Sequence, residues 1–275
     1  MQPSPNPREL ALSALRLDQP LAKIEAVAAL WQRAQVHDWT QATVQQTLTC
    51  ERPLPGRPEQ PTLVHPGQVP TRSVHTLLGR AALVHAICHI EFNAINLALD
   101  AVWRYSGMPT QFYLDWLRVA YEESTHFDML QTHLQSLQQD PPWQYGSFDA
   151  HDGLWAMCEK TAHDITARMA LVPRTLEARG LDATPLIQDK LRKVGTADAL
   201  QTVAILDVIL REEVGHVAIG NHWYKHLCTA QQRDPVAYYG ELVARFDAPK
   251  LKPPFNNEAR RAAGFNEAEL AYLLT

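Results

Sequence analysis

Two short strings in this chain place a glutamate three residues before a histidine: Glu123 precedes His126, and Glu213 precedes His216. Both strings lie in long stretches whose apolar residues recur with helical periodicity. On a helix, positions i and i+3 lie on the same side, so the carboxylate and the imidazole of each pair project together. A single string of this kind is frequent by chance, but two on apolar helix faces indicate a site where carboxylates and imidazoles bind divalent metal ions.

A further carboxylate, Glu91, also lies on an apolar helix face. Its neighbours at helical spacing are all apolar: Val84, Ile87, Cys88, Ala94, Ile95 and Ala98. A lone carboxylate in such surroundings is costly, so it needs a proton, a partner or a metal ion. Gly107 lies 16 residues after Glu91 and 16 residues before Glu123. A turn at Gly107 between antiparallel helices therefore places both carboxylates at one level, roughly 24 Å from the turn.

Adjacent glutamates compete for the inward position in both strings. Glu123 has apolar neighbours at helical spacing, whereas Glu122 lies on a mixed face. Glu212 is almost as well surrounded by apolar residues as Glu213, and only the spacing to His216 separates these two. Face and spacing together therefore favour Glu123 and Glu213.

A fourth carboxylate is expected from the third predicted helix, where Glu159 and Glu177 share one stripe. They are 18 residues apart, roughly 27 Å along a helix, so they cannot both bind one metal cluster. Spacing alone does not choose between them.

The elements that position these residues are predicted to be helices. Four long helices are predicted over residues 71–105, 109–138, 153–179 and 197–227, with shorter ones over 185–194 and 266–274 and two more within 8–36, broken at 18–20. Pro173 is expected to kink the third long helix or to force a bulge in it, and Gly180 to cap its end. Residues 51–70 hold six prolines, which excludes a regular helix there. We interpret this segment as an extended arm on the surface, and a disordered linker is the alternative.

Composition narrows the class of protein. The chain has 275 residues, 46% of them hydrophobic and 20% charged, which is typical of a globular protein. The net charge of −5 gives no support to nucleic acid or a membrane surface as a partner. The four cysteines are far apart in the sequence, so disulfides are not expected. The expected location is the reducing cytoplasm. The sequence shows no hydrophobic signal core and no apolar run of roughly 18 residues, so no membrane span is expected.

Several strings of the chain resemble the bacterial family called domain of unknown function 455, a member of the ferritin-like superfamily. They are HIEFNAINLALD, EESTHF, RMALVPRTLEARGLD, REEVGHVAIGNHWY and PPFNNEARRAAGF. The resemblance extends from about residue 10 to residue 270. It implies an all-α fold with a ferritin-like four-helix bundle over residues 71–230. The N-terminal helices and proline-rich arm (1–70) and a C-terminal extension (231–275) complete what is expected to be one structural domain.

The resemblance also implies a ligand set for two metal ions. In the ferritin-like superfamily, one Glu or Asp, a Glu-x-x-His, another Glu and a second Glu-x-x-His bind the metals. The corresponding residues here are Glu91, Glu123, His126, Glu177, Glu213 and His216. Four carboxylates balance the charge of two divalent ions. Oxygen donors combined with imidazole favour two iron ions, with manganese or zinc as alternatives.

Three classes of function are compatible with this ligand set. The first is an oxidase or hydroxylase that activates O2 and acts on a small-molecule substrate. The second is a ferroxidase or metal-handling protein. The third is a non-catalytic helical scaffold in which the Glu–His pairs are buried hydrogen bonds. The residues identify neither the substrate nor the electron donor, and they leave a homodimer open.

Overall fold

The computed structural model of this chain describes residues 6–137 and 140–274, and it is all-helical. Extended pairing within those ranges is limited to an isolated bridge between Leu63 and Ala150. The predicted all-α class is therefore confirmed. The chain forms two compact units, Met1–Asp152 and Gly153–Thr275. The boundary between these units lies inside the predicted bundle of residues 71–230, and the predicted domain organisation stays a prediction.

The first unit contains two long helices and several short elements. Its elements are α1 (Pro7–Leu15), α2 (Pro20–Val36), α3 (Gln41–Gln45), a single 3-10 turn (Pro66–Gln68), α4 (Leu77–Arg104) and α5 (Thr110–Ser136). The predicted break between α1 and α2 and both long helices are confirmed. α4 begins later than predicted because Thr76 caps it, its side chain accepting a hydrogen bond from the amide of Gly79.

The helix α4 forms the core of the first unit. It packs along α5 and α1, and α2 packs on α5. By length and composition α4 could cross a membrane, with a mean hydropathy of 1.4 in its most apolar window. However, 72% of that window is buried inside the protein, as expected of a core helix. The apolar character of α4 is therefore explained by its packing.

The proline-rich arm is held against the N-terminal helices. The amide of Gly56 donates a hydrogen bond to the carbonyl of Leu15 at 2.8 Å. The buried Lys23 ammonium donates to the carbonyl of Gly56 at 2.9 Å and also contacts the Asn96 side chain. No side chain fits at position 56, since an added Cβ would lie 2.2 Å from the carbonyl oxygen of Arg16. At Gly56 the arm is thus packed against the N-terminal helices, which favours the extended arm over the disordered linker.

Arg8 connects α1 to the end of α4. Its side chain is fully buried, and its guanidinium donates hydrogen bonds to the backbone carbonyls of Val102, Trp103, Thr43, Val44 and Gln46. The last carbonyls of a helix have no partner within the helix itself. Arg8 therefore supplies hydrogen-bond donors to carbonyls in the C-terminal turn of α4 and fixes α3 beside that turn.

The second unit contains more helices than the sequence predicts. Its elements are α6 (Gly153–Lys160), α7 (Ile165–Leu171), a π-helical segment (Val172–Glu177), α8 (Ala178–Val194), α9 (Ala197–Ala230), α10 (Pro235–Arg245), α11 (Asn257–Ala262) and α12 (Glu267–Tyr272). The fourth predicted long helix and the last short helix are confirmed as α9 and α12. The helices α10 and α11 are additions, each capped by the side chain that precedes it, Asp234 and Asn256.

The third predicted long helix, over residues 153–179 and capped by Gly180, is wrong. The chain leaves the helix after Lys160, and Asp164 starts α7 by accepting a hydrogen bond from the amide of Ala167. At the other end of the predicted helix the chain does not stop at Gly180. It continues as α8 to Val194, where Gly195 caps the helix with a φ of +70°, a conformation that suits glycine. Burial of neighbouring apolar residues in α8 outweighs the low helix propensity of Gly180. The predicted bulge at Pro173 is confirmed as the π-helical segment.

Candidate metal centre

Three of the predicted ligands form one close, buried group in the first unit. Glu91 comes from α4, and Glu123 and His126 come from α5. Each offers a ligand atom, and these atoms lie within 4.8 Å of one another. The exposed fractions of Glu91, Glu123 and His126 are 4%, 0% and 0%. His126 Nδ1 lies 3.2 Å from Glu91 Oε2 and 3.1 Å from Glu123 Oε2, so one nitrogen faces both carboxylates.

The α4–α5 hairpin explains why these side chains meet. Glu91 and Glu123 lie at matching distances from the turn, and their helices pack along each other. The neighbouring Glu122 points elsewhere: its side chain is 30% exposed and lies 4.0 Å from Arg118. The predicted choice of Glu123 over Glu122 as the inward carboxylate is therefore confirmed.

The electrostatics of this group follow from burial and from the two like charges. Burial, and next the negative charge of Glu123, raise the pKa of Glu91 above its ordinary value. Burial lowers the pKa of His126, but the hydrogen bonds and charges of Glu123 and Glu91 raise it by more, so the net shift is upward. Both shifts therefore favour the protonated forms, a neutral Glu91 and an imidazolium at His126.

A divalent ion fits this group chemically. Two carboxylates and an imidazole are the oxygen and nitrogen donors that iron, manganese and zinc share. The group lies out of contact with solvent, where two carboxylates need compensating positive charge. Without a metal, a proton on Glu91 and the imidazolium of His126 compensate the charge, and a divalent ion bound by the same donor atoms would take the place of both protons.

We expect metal binding at this group to release protons. The ion competes for donor atoms that carry protons, so binding should release about two protons per ion near pH 7. Since both pKa values are raised, the apparent affinity should fall as the pH is lowered, by up to ~100-fold per pH unit. Addition of Co²⁺ to weakly buffered protein with an indicator dye measures the release. Glu91→Gln should release one proton fewer, and an affinity independent of pH between about pH 6 and pH 8 would contradict this expectation.

The second unit holds the other three predicted ligands. Glu213 and His216 lie on α9, with exposed fractions of 9% and 1%, and His216 Nδ1 lies 3.4 Å from Glu213 Oε1. Glu177 ends the π-helical segment and is half-buried, with one carboxylate oxygen out of contact with solvent. Its competitor Glu159 is exposed on α6. The second Glu–His pair is thus close and buried, whereas ligation by Glu177 stays a prediction.

Two further histidines on α4 are partners of a loop. His89 Nδ1 lies 2.8 Å from the hydroxyl of Tyr145, and His85 Nε2 accepts a hydrogen bond from the amide of Gly146. Burial lowers the pKa of both imidazoles to about 4, so both are neutral. They hold the loop that contains Tyr145 against α4. The helical spacing of His85 and His89 indicates that they share a face of α4. It does not indicate their partners Tyr145 and Gly146, which lie about 60 residues away in the sequence.

Comparison with known proteins gives a family and one curated relative. Residues 16–271 match the family described as protein of unknown function (DUF455). An uncharacterized protein of Haemophilus influenzae (strain ATCC 51907 / DSM 11121 / KW20 / Rd) is 50% identical over 223 residues, which cover 78% of this chain and 75% of that protein. No solved structure matches the chain.

Proposed function

The chain belongs to the DUF455 family, and on that premise we propose that it is a ferritin-like dinuclear metal-carboxylate protein. In this proposal it binds two iron ions and uses O2 to oxidise or hydroxylate a small molecule. The family description assigns no activity, so the argument depends on the residues themselves.

The close group of Glu91, Glu123 and His126 carries the proposal. Three donor atoms of the types that iron prefers converge within 4.8 Å, on side chains with almost no exposure. A helical scaffold does not need this arrangement, because an apolar residue at each position would pack without the cost of burying two carboxyl groups and an imidazole. Their burial supports a site built for an ion.

The second set of ligands in the proposal repeats the composition of the first. Glu177, Glu213 and His216 again provide two carboxylates and one imidazole. In the proposal the two sets together hold two ions in a ferritin-like bundle. Four carboxylates then neutralise the four positive charges.

The chain's own groups have definable roles in such a centre. Two bound iron ions would supply the binding and activation of O2. His126 and His216 both turn Nδ1 towards a carboxylate, so Nδ1 is the nitrogen that we assign as the ligand atom. The apolar faces of α4 and α5 keep water from the carboxylates, which strengthens their attraction for an ion. We also propose a cytoplasmic location, supported by four free cysteines.

Oxygen consumption tests the proposed activity. Protein loaded with Fe²⁺ under argon is freed of excess metal and mixed with O2, with and without a chemical reductant. We expect O2 uptake to continue for as long as the reductant lasts, with the iron remaining bound. Uptake that stops in fixed proportion to added Fe²⁺, with a ferric mineral accumulating, would instead support the ferroxidase. Protein without iron is the control.

A further inference from the structure

The π-helical segment Val172–Glu177 packs on α9 at a point where only glycine fits. A Cβ atom on Gly220 would lie 2.6 Å from Pro173 Cβ and 2.7 Å from Pro173 Cγ. The proline ring is fixed to the backbone and cannot rotate away. The absence of a side chain at Gly220 therefore sets how closely the segment approaches α9.

This contact also sets the level of Glu177 along α9. Pro173 lies against Gly220, and farther along the chain Ala178 shares a buried cluster with Val217. The segment and α9 therefore run antiparallel, because a higher residue number in the segment is matched by a lower residue number in α9. Glu177 is four residues after Pro173, and His216 is four residues before Gly220. Glu177 and His216 consequently lie at about the same level.

The outer side of the segment is fixed by hydrogen bonds. The hydroxyl of Thr175 donates to the carbonyl of Ala170 at 2.7 Å, so the hydroxyl of Tyr239 is the donor in its 2.8 Å contact with Thr175. These bonds connect the π-helical segment to α7 and α10.

Arg174 fixes the segment to two more helices. Its buried guanidinium donates to the side-chain oxygen of Asn221 at 2.9 Å and to Glu269 at 3.1 Å. The segment is thus held by α9 and α12 as well.

We propose that Gly220 and the π-helical segment packed against it act as a positioning device. The device keeps Glu177 at the level of the Glu213–His216 pair, so that Glu177 can bind the same ion as that pair. The inference rests on the proposed function and deepens it. Gly220 and Thr175 act in this proposal through Glu177, and neither is itself a ligand.

Titration with Co²⁺ under argon tests the device, followed by equilibrium dialysis and by the visible absorption of the bound ion. In Gly220→Ala the segment must move by about 1 Å to reach ordinary carbon–carbon contact. We expect the affinity for one ion to fall about 10–100-fold, as when groups that orient ligands are changed. The absorption of that ion should resemble the absorption in Glu177→Gln, where the carboxylate is missing.

Two other variants complete the experiment. Thr175→Val keeps the side-chain shape and removes the hydroxyl that holds the segment. It should lower the affinity for the same ion about tenfold. This variant decides the outcome if Gly220→Ala does not fold. Gly180→Ala is the matched control, since a Cβ there meets nothing within 4 Å, and it should bind as the parent does.

The outcomes separate this proposal from the proposed function. If Gly220→Ala and Thr175→Val lower the melting temperature but leave the Co²⁺ affinity and absorption unchanged, the device is overturned and the metal centre stands. If the parent protein binds no Co²⁺, the proposed function fails and the device fails with it.

Discussion

Replacing Glu123 with glutamine removes at least one of the two expected metal ions while the chain stays folded. Glutamine keeps the shape of the side chain but loses the negative charge, and its amide is a poor ligand for iron. We expect the affinity for that ion to fall by at least about 100-fold, more than for a change beyond the ligands. The helices should persist, because glutamine keeps the volume of the side chain and its amide oxygen can still accept a hydrogen bond from His126 Nδ1. Elemental analysis and circular dichroism measure both effects.

Matched controls lie one position away in the sequence. Glu122→Gln changes the same chemical group on a side chain that is 30% exposed, and it should keep the metal content of the parent. Glu213→Gln and Glu212→Gln form a second such pair, where the side chains are 11% and 31% exposed. Equal metal loss in both members of a pair would mean that the effect is not ligation.

Replacing Arg8 with methionine should lower the free energy of unfolding by about 4 kcal/mol. The guanidinium serves five backbone carbonyls around the end of α4, and each buried carbonyl left without a donor costs about 1–3 kcal/mol. Some of these carbonyls will be reached by water, so the total stays below the sum. Thermal unfolding should then begin about 10 °C lower.

Two variants define the cause of this loss. Arg16→Met, at the exposed residue that directly follows α1, should change the melting temperature by no more than about 2 °C. Arg8→Lys retains a positive charge but presents three donors in place of the planar guanidinium, so it should recover less than half of the stability. A melting temperature of Arg8→Met equal to that of the parent would show that water replaces the guanidinium without cost.

The first half of the candidate site follows from local features of the sequence. Helical periodicity placed Glu91 and Glu123 on apolar faces, and the turn at Gly107 placed them at one level. The same periodicity separated Glu123 from Glu122. These predictions hold because a hairpin of two long helices has few ways to pack, so that local spacing determines which residues meet.

The second unit was harder to predict because long-range packing overrides local signals there. Gly180 is a typical helix end, yet the helix α8 continues through it. The approach of Pro173 to Gly220 joins residues 47 positions apart, and neither residue indicates the other. The level of Glu177 follows from this contact, so the sequence could propose Glu177 only through its resemblance to a family.

The number of iron ions per chain tests the central claim most directly. Protein is loaded with Fe²⁺ under argon, freed of unbound metal and analysed for iron and protein together. Two ions per chain are predicted, falling to one or none in Glu123→Gln and unchanged in Glu122→Gln. A parent protein that retains no iron would contradict the account and leave the Glu–His pairs as buried hydrogen bonds in a helical fold.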